Sequence, residues 1–175
     1  GTVLIPGGIN SGTNALGPSE SPESYDPLMY PPNYALTVAS FYMDKYEVTK
    51  AKWDEVRNWG LTHGYTDLVA GAGKATNHPV QKVNWYDCVK WCNARSQMEG
   101  RTPSYYTSSA KITVYTNGQI AIEDDCVNWS SGYRLPTDTE WEYAARAGAA
   151  SKRFPWGGNT ISHGQANYWA QNYSD

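Results

Sequence analysis

The chain has 175 residues, with 14 Lys and Arg against 17 Asp and Glu and a net charge of −3. That length is the size of one domain, and the charge leaves no basic footprint for nucleic acid. No apolar run approaches a membrane span, and no signal-peptide pattern is recognisable.

The apolar content is unusual: 8 Trp and 14 Tyr but only 2 Phe. Rings with a polar handle bury area and still need hydrogen-bond partners. With 16 Gly and 10 Pro, this composition points to a loop-rich fold around an irregular aromatic core. The same rings would suit a carbohydrate or peptide surface, but core is the commoner use of such residues.

In chain order, residues 3 to 8 read as a short strand stopped by Pro6 and Gly7. Residues 10–33, rich in Ser, Pro, Asn and Gly, read as an irregular insertion loop too long for a simple connector. Residues 36 to 46 alternate well enough for a strand. A helix follows, with Thr49 as its cap, Val48 and Trp53 as a hydrophobic staple, and Trp53, Val56 and Trp59 near one face before Gly60. Residues 60 to 79 are irregular. Gly71-Ala-Gly-Lys74 fails as a phosphate loop, because position 68 is Leu and position 75 is Ala.

The next helix starts at Asn84, with Asp87 completing a capping box. Trp85, Cys88, Val89 and Cys92 form its apolar stripe, and it ends near Met98 before Gly100. Residues 111 to 123 read as a hairpin. A three-residue loop with Gly118 left-handed places Ile112, Val114, Ile120 and Ile122 on one face. The clearest element is the helix over 138 to 147. Thr137 and Glu140 make its capping box, Pro136 and Trp141 sit where a staple closes, and Arg146 and Gly148 suit its C-terminal end. Beyond it the chain reads as loop.

The sequence carries few generic signatures of chemistry. There is no Gly-x-Ser-x-Gly and no His-Glu-x-x-His. His63, His78 and His163 each stand alone and read as structural hydrogen-bonders. Glu123-Asp124-Asp125 lacks the alternation of a calcium loop and reads as a solvated turn. Asn128-Trp-Ser130 and Asn172-Tyr-Ser174 fit the glycosylation triplet, which also arises by chance. Arg134 reads as a tie between loops through a carboxylate, and Trp141 and Trp156 as core. The three cysteines are an odd count: Cys88 and Cys92 share a helix face in poor geometry for a disulfide, and Cys126 could pair with either.

Five blocks occur in a familiar order: Phe41-Tyr-Met-Asp-Lys-Tyr-Glu-Val-Thr49; His78-Pro-Val80 with Val83-Asn-Trp-Tyr-Asp87 and Trp91-Cys-Asn93; Gly132 to Gly148; Phe154-Pro-Trp-Gly157; and Ala166-Asn-Tyr168. Together they resemble the formylglycine-generating enzyme, or sulfatase-modifying factor, domain family. The resemblance implies an α+β, C-type-lectin-related fold of low regular structure, with few helices around a small twisted antiparallel sheet. It makes residues 1–175 a single domain, the N-terminal part of such a protein, with its core left incomplete.

The family's oxidases convert a sulfatase cysteine to formylglycine with dioxygen, using a reactive, copper-binding cysteine pair in an Arg-Gly-Gly-Ser-type segment. Residues 1–175 contain no such segment. The resemblance therefore assigns no catalytic role to any cysteine here, makes Cys92 structural, and brings copper in only with a C-terminal half. It implies a partial structural calcium site at Asn167 and the carbonyl of Tyr168, and a place near the substrate groove for Glu47. The expected partners are a protein or peptide substrate, or another chain covering the core. The alternative is a non-catalytic ligand- or protein-binding module on the same scaffold, in the form of a short oligomeric protein.

Overall fold

The computed structural model describes residues 1–13, 33–146, 162, 164 and 165. Packing divides the chain into one unit of Gly1–Thr2 with Asp44–Leu135 and a second of Val3–Met43 with Pro136–Asp175.

The first unit is built on two helices, α1 (Lys50–Leu61) and α2 (Trp85–Met98), packed against each other. Both open as their capping residues dictate. Thr49 Oγ1 accepts from the Lys52 amide at 3.3 Å, and Asn84 and Asp87 exchange a reciprocal pair at 2.9 and 3.1 Å. α1 does not stop at Gly60. A Cβ there would lie 3.2 to 3.4 Å from Leu68, Tyr65 and Ala94, so the glycine allows close approach inside the helix instead of ending it.

Trp53 and Trp91 stack with centroids 5.5 Å apart and planes 1° from parallel. Each indole N–H finds a carbonyl: Trp53 donates to Val69 O at 2.9 Å and Trp91 to Trp53 O at 3.1 Å. Tyr65, Tyr105 and Tyr115 complete a core whose rings are apolar in body and hydrogen-bonded at the tip. The aromatic-core expectation holds for these residues.

Two expectations in this unit need correction. Trp85 does not belong to a buried stripe of α2: it is 45% exposed and meets Tyr86 edge-on. From Val89 to Ser96 every residue of α2 is buried, so no single stripe exists. The hairpin also lies upstream of where the pattern places it. Tyr106 bridges Val114, and Thr107 N donates to Thr113 O at 3.0 Å, around a turn at residues 108–111. Ile112 is 83% and Ile120 40% exposed. Gly118 is left-handed as expected (φ 84°). However, its turn closes on the Tyr115 hydroxyl, which donates to Gly118 O at 2.7 Å and accepts from Ile120 N at 3.1 Å. One buried tyrosine thus replaces the strand ladder.

The described residues of the second unit, with Thr2 and Asp44 at two strand ends, form four strands and one helix. β1 (Thr2–Ile5) pairs with β4 (Phe41–Asp44), and β2 (Gly8–Thr13) pairs antiparallel with β3 (Asn33–Val38). Residues 10 to 33 are therefore not wholly loop, because both ends are strand in the register Gly8↔Val38 to Thr13↔Asn33. Nor are residues 36 to 46 one strand. The chain breaks at Ala39–Ser40, where a Cβ on Gly7 would sit 2.9 Å from both Ser40 N and Val38 O, so two backbones pass too closely for a continuous ladder.

α3 (Asp138–Arg146) forms with its predicted box: Glu140 N donates to Thr137 Oγ1 at 3.2 Å and Thr137 N to Glu140 Oε2 at 2.9 Å. It packs on β2 and β3. Asn10 of β2, 2% exposed, donates to Glu142 at 2.9 Å, and Tyr143 lies over Gly8. Trp141 falls on another side of α3 and is 60% exposed, which corrects its assignment to the core. Pro136 is exposed as well. Gly148 and Trp156 fall outside the described residues.

Candidate functional site

The polar groups of the first unit converge on α2. Asn93 is fully buried and uses its whole side chain. Its Nδ2 donates to the carbonyls of Tyr105 (2.7 Å) and Tyr115 (3.0 Å), and its Oδ1 accepts from the amides of Ser104 (3.0 Å) and Tyr105 (2.9 Å). One turn on, Ser96 Oγ donates to Cys92 O at 2.8 Å and accepts from Tyr133 N at 2.7 Å. Ser104 Oγ donates to Ser131 O at 2.7 Å, and Tyr105 OH accepts from Leu135 N at 2.9 Å. Residues 131–135, which lead into the capped helix segment, are thus pinned to α2 by buried serine, asparagine and tyrosine groups. Among the described residues no buried side-chain N or O lacks a partner.

Arg95 and Lys90 extend the network outward. The Arg95 guanidinium pairs with Asp44 and with Glu99 (3.2 Å), and its centre lies 3.8 Å from the Tyr133 ring. Burial alone would lower its pKa, but the Asp44 carboxylate more than reverses that. Lys90, 2% exposed, reaches Asp67 at 2.8 Å and Gly118 O at 3.1 Å. Helical periodicity does not reveal these buried cations, because α2 is enclosed nearly all round. The traces of this network in the sequence are Asn93 within the Trp91-Cys-Asn93 block and Tyr133 and Leu135 at the start of the Gly132 to Gly148 block.

Glu99 gives the network a pH dependence. Burial would raise its carboxyl, but the Tyr133 hydroxyl and the Arg95 guanidinium outweigh burial and hold it below the ordinary glutamate value. A carboxyl lowered by folding adds stability above its unfolded value of about 4.3. That stability is lost as pH falls through the folded value. The stability gap between wild type and Glu99→Gln, read from urea midpoints, is therefore expected to shrink as pH falls below the unfolded glutamate value of about 4.3. A gap independent of pH would show that the carboxylate charge contributes nothing.

The three cysteines are free thiols. Cys92 is buried, and desolvation, reinforced by nearby Cys88, pushes its thiol up to about 12. Cys88 is half-buried and raised by burial and by Asp87. Cys126 is raised by burial and by its 3.3 Å hydrogen bond to Asp125 Oδ1. All three shifts run opposite to those of an activated thiol.

The remaining expected residues are dispersed. Glu47 is exposed just before the Thr49 cap. Arg134 donates to Leu135 O at 3.0 Å and lies 5.0 Å from the Trp129 ring. His63 stacks on Trp59 at 3.9 Å, and its Nδ1 lies 2.8 Å from the Trp59 carbonyl, a structural placement. Asp124–Cys126 is a short 3-10 turn with Asp124 and Asp125 exposed, as a solvated turn would be. Asn167, Tyr168 and His163 fall outside the described residues. Among the described residues, no group of three or more His, Cys, Asp or Glu is placed to hold a metal, and no helix is long and apolar enough to cross a membrane.

Among the described residues, three α-helices, a pair of two-stranded sheets and a buried polar knot make an α+β fold. The profile of the sulfatase-modifying factor enzyme 1-like domain matches residues 1–175, and the chain belongs to that family. It is similar to the chaperone protein LppX of Paenibacillus barcinonensis, 38% identical over 77% of this chain and 46% of that protein. It is also similar to the formylglycine-generating enzyme of Mus musculus, 31% identical over 79% and 40%. Among solved structures, CarF aligns with a TM-score of 0.64 at 25% identity over 85% of this chain and 56% of that one. Treponema denticola variable protein 1 aligns with a TM-score of 0.58 at 22% identity over 93% and 57%, and shares the fold. The chain spans about half the length of the curated relatives it matches.

Proposed function

We propose that residues 1–175 form the scaffold part of a protein of the sulfatase-modifying type, and that Cys88, Cys92 and Cys126 do not carry the cysteine chemistry of the family's oxidases. Cys92 carries this reading. A nucleophilic or copper-binding sulfur has to ionise and be reached, whereas Cys92 is buried and held protonated by desolvation. The test is to incubate the chain with copper(I), dioxygen and a cysteine-containing sulfatase peptide, and to read formylglycine by mass spectrometry. No aldehyde is expected, and iodoacetamide should label Cys92 only after unfolding. Aldehyde formation abolished by Ser at any one of the three cysteines would refute the proposal.

Two finer assignments rest on the resemblance. Calcium at Asn167 and the Tyr168 carbonyl predicts a rise in melting temperature on adding CaCl2 that Asn167→Ala removes; no rise would sink it. Glu47, exposed beside the α1 cap, is assigned to peptide contact. Glu47→Gln should then weaken peptide binding with no change in melting temperature, and unchanged binding would remove it.

A second reading, a non-catalytic protein-binding module, is favoured by the 38% identity to a protein named as a chaperone, above the 31% to mouse formylglycine-generating enzyme. It predicts that equimolar chain slows light scattering by an aggregating client protein. An unchanged scattering rate would dismiss it.

A further inference from the structure

We propose that Asn117–Gly118 is a deamidation site which the folded loop keeps closed and local opening exposes. The dipeptide has the right chemistry. The Gly118 amide nitrogen can attack Cγ of Asn117, since glycine places no side chain in the way. The N–Cγ bond forms, the Cγ–Nδ2 bond breaks, and the amide proton leaves with ammonia. Water then opens the succinimide to aspartate or isoaspartate. Both residues are exposed, so water reaches them in the native protein.

The native loop opposes each part of that step. Nδ2, the leaving group, donates to Gly64 O at 2.6 Å and Thr116 Oγ1 at 2.9 Å. Oδ1 accepts from Thr66 N at 3.0 Å and Thr66 Oγ1 at 2.8 Å. Three of these four bonds tie the amide plane to the loop at residues 64–66 and the fourth ties it to Thr116, while ring closure needs that plane free to turn towards Gly118. The nucleophile is held as well. Gly118 N donates to Asp67 Oδ2 at 2.7 Å, and the same oxygen is paired with buried Lys90 at 2.8 Å. Negative charge developing on the Gly118 nitrogen would face the Asp67 carboxylate, and like charges at that range disfavour it. Reaction therefore requires opening of the contact between the loops at 64–67 and 115–118, a local event that is easier than global unfolding.

The product would not fit the closed loop. A carboxylate in place of the Asn117 amide has no hydrogen to offer Gly64 O or Thr116 Oγ1, and it adds a second negative charge beside Asp67. The change would therefore favour the open loop once made.

The experiment incubates the chain at about neutral pH, folded and in urea, and follows conversion at Asn117 by peptide mapping with separation of isoaspartate. Native conversion is expected to be about tenfold or more slower than unfolded conversion. Thr66→Val, which removes one donor to Oδ1, should raise the native rate and leave the unfolded rate unchanged. Asn117→Asp, made directly, should increase hydrogen exchange of the Thr66 and Gly118 amides. Equal native and unfolded rates would overturn the proposal. So would a faster native rate, which would mean that Asp67 and Thr66 promote ring closure, and so would a Thr66→Val rate unchanged in both states.

Discussion

Asn93→Ala is expected to destabilise the first unit by about 4 kcal/mol, the largest loss of any single side-chain truncation described above. The side chain answers two carbonyls and two amides inside the core. Truncation leaves all four main-chain groups without a partner, where each unsatisfied buried group costs about 1–3 kcal/mol. The total falls short of the sum because a small cavity can admit water.

Asn93→Asp separates hydrogen bonding from shape. It keeps the acceptors for Ser104 N and Tyr105 N but turns an oxygen towards the carbonyls of Tyr105 and Tyr115, and it buries a charge. It should therefore be as damaging as alanine. Urea unfolding with an unchanged m-value measures both. A loss below about 1 kcal/mol for either variant would mean that the network bonds better to water than to itself.

Gly132→Ala is expected to cost about 3 kcal/mol or more. Gly132 sits at φ 76°, and a Cβ there would overlap the carbonyl oxygen of Thr102 and crowd the hydroxyls of Ser104 and Ser96 at 2.9 and 3.0 Å. Those hydroxyls already bond Ser131 O and Tyr133 N, so neither can yield without breaking a bond. Gly64→Ala is the control. Gly64 has φ 96° with nothing within 4 Å of a built Cβ, so it isolates backbone strain. It should lose about 1–2 kcal/mol. Equal losses at the two positions, by thermal or urea unfolding, would show that the crowding at Gly132 relaxes freely.

These two positions mark how far the sequence can be read. Helix starts are legible because capping is local: Thr49, Asn84 and Thr137 each bind an amide a few residues away. The limits of the strands and the hairpin are not, because they are set at long range. Gly7 meets Ser40, and Asn117 is taken by residues 64–66, neither of which leaves a periodic trace. Hydrophobicity assigns Trp85 and Trp141 inward, yet they are 45% and 60% exposed. Of the candidate site, the family blocks are visible in the sequence. The knot is not, since it joins polar side chains of α2 to main-chain atoms of distant loops.

That last property has a consequence for how the domain can change over generations. All four partners of Asn93 are main-chain atoms. A main-chain partner depends little on which residue supplies it, so the four bonds demand of positions 104 and 105 only an amide hydrogen, which excludes proline, and of position 115 only its carbonyl. Position 93 has no such latitude, since only an amide side chain of that length offers two donors and one doubly accepting oxygen in the same plane. The four bonds of Asn93 thus concentrate their own sequence constraint at one position, while Ser104, Tyr105 and Tyr115 are constrained separately, by the bonds their hydroxyls make to Ser131, Leu135, Gly118 and Ile120.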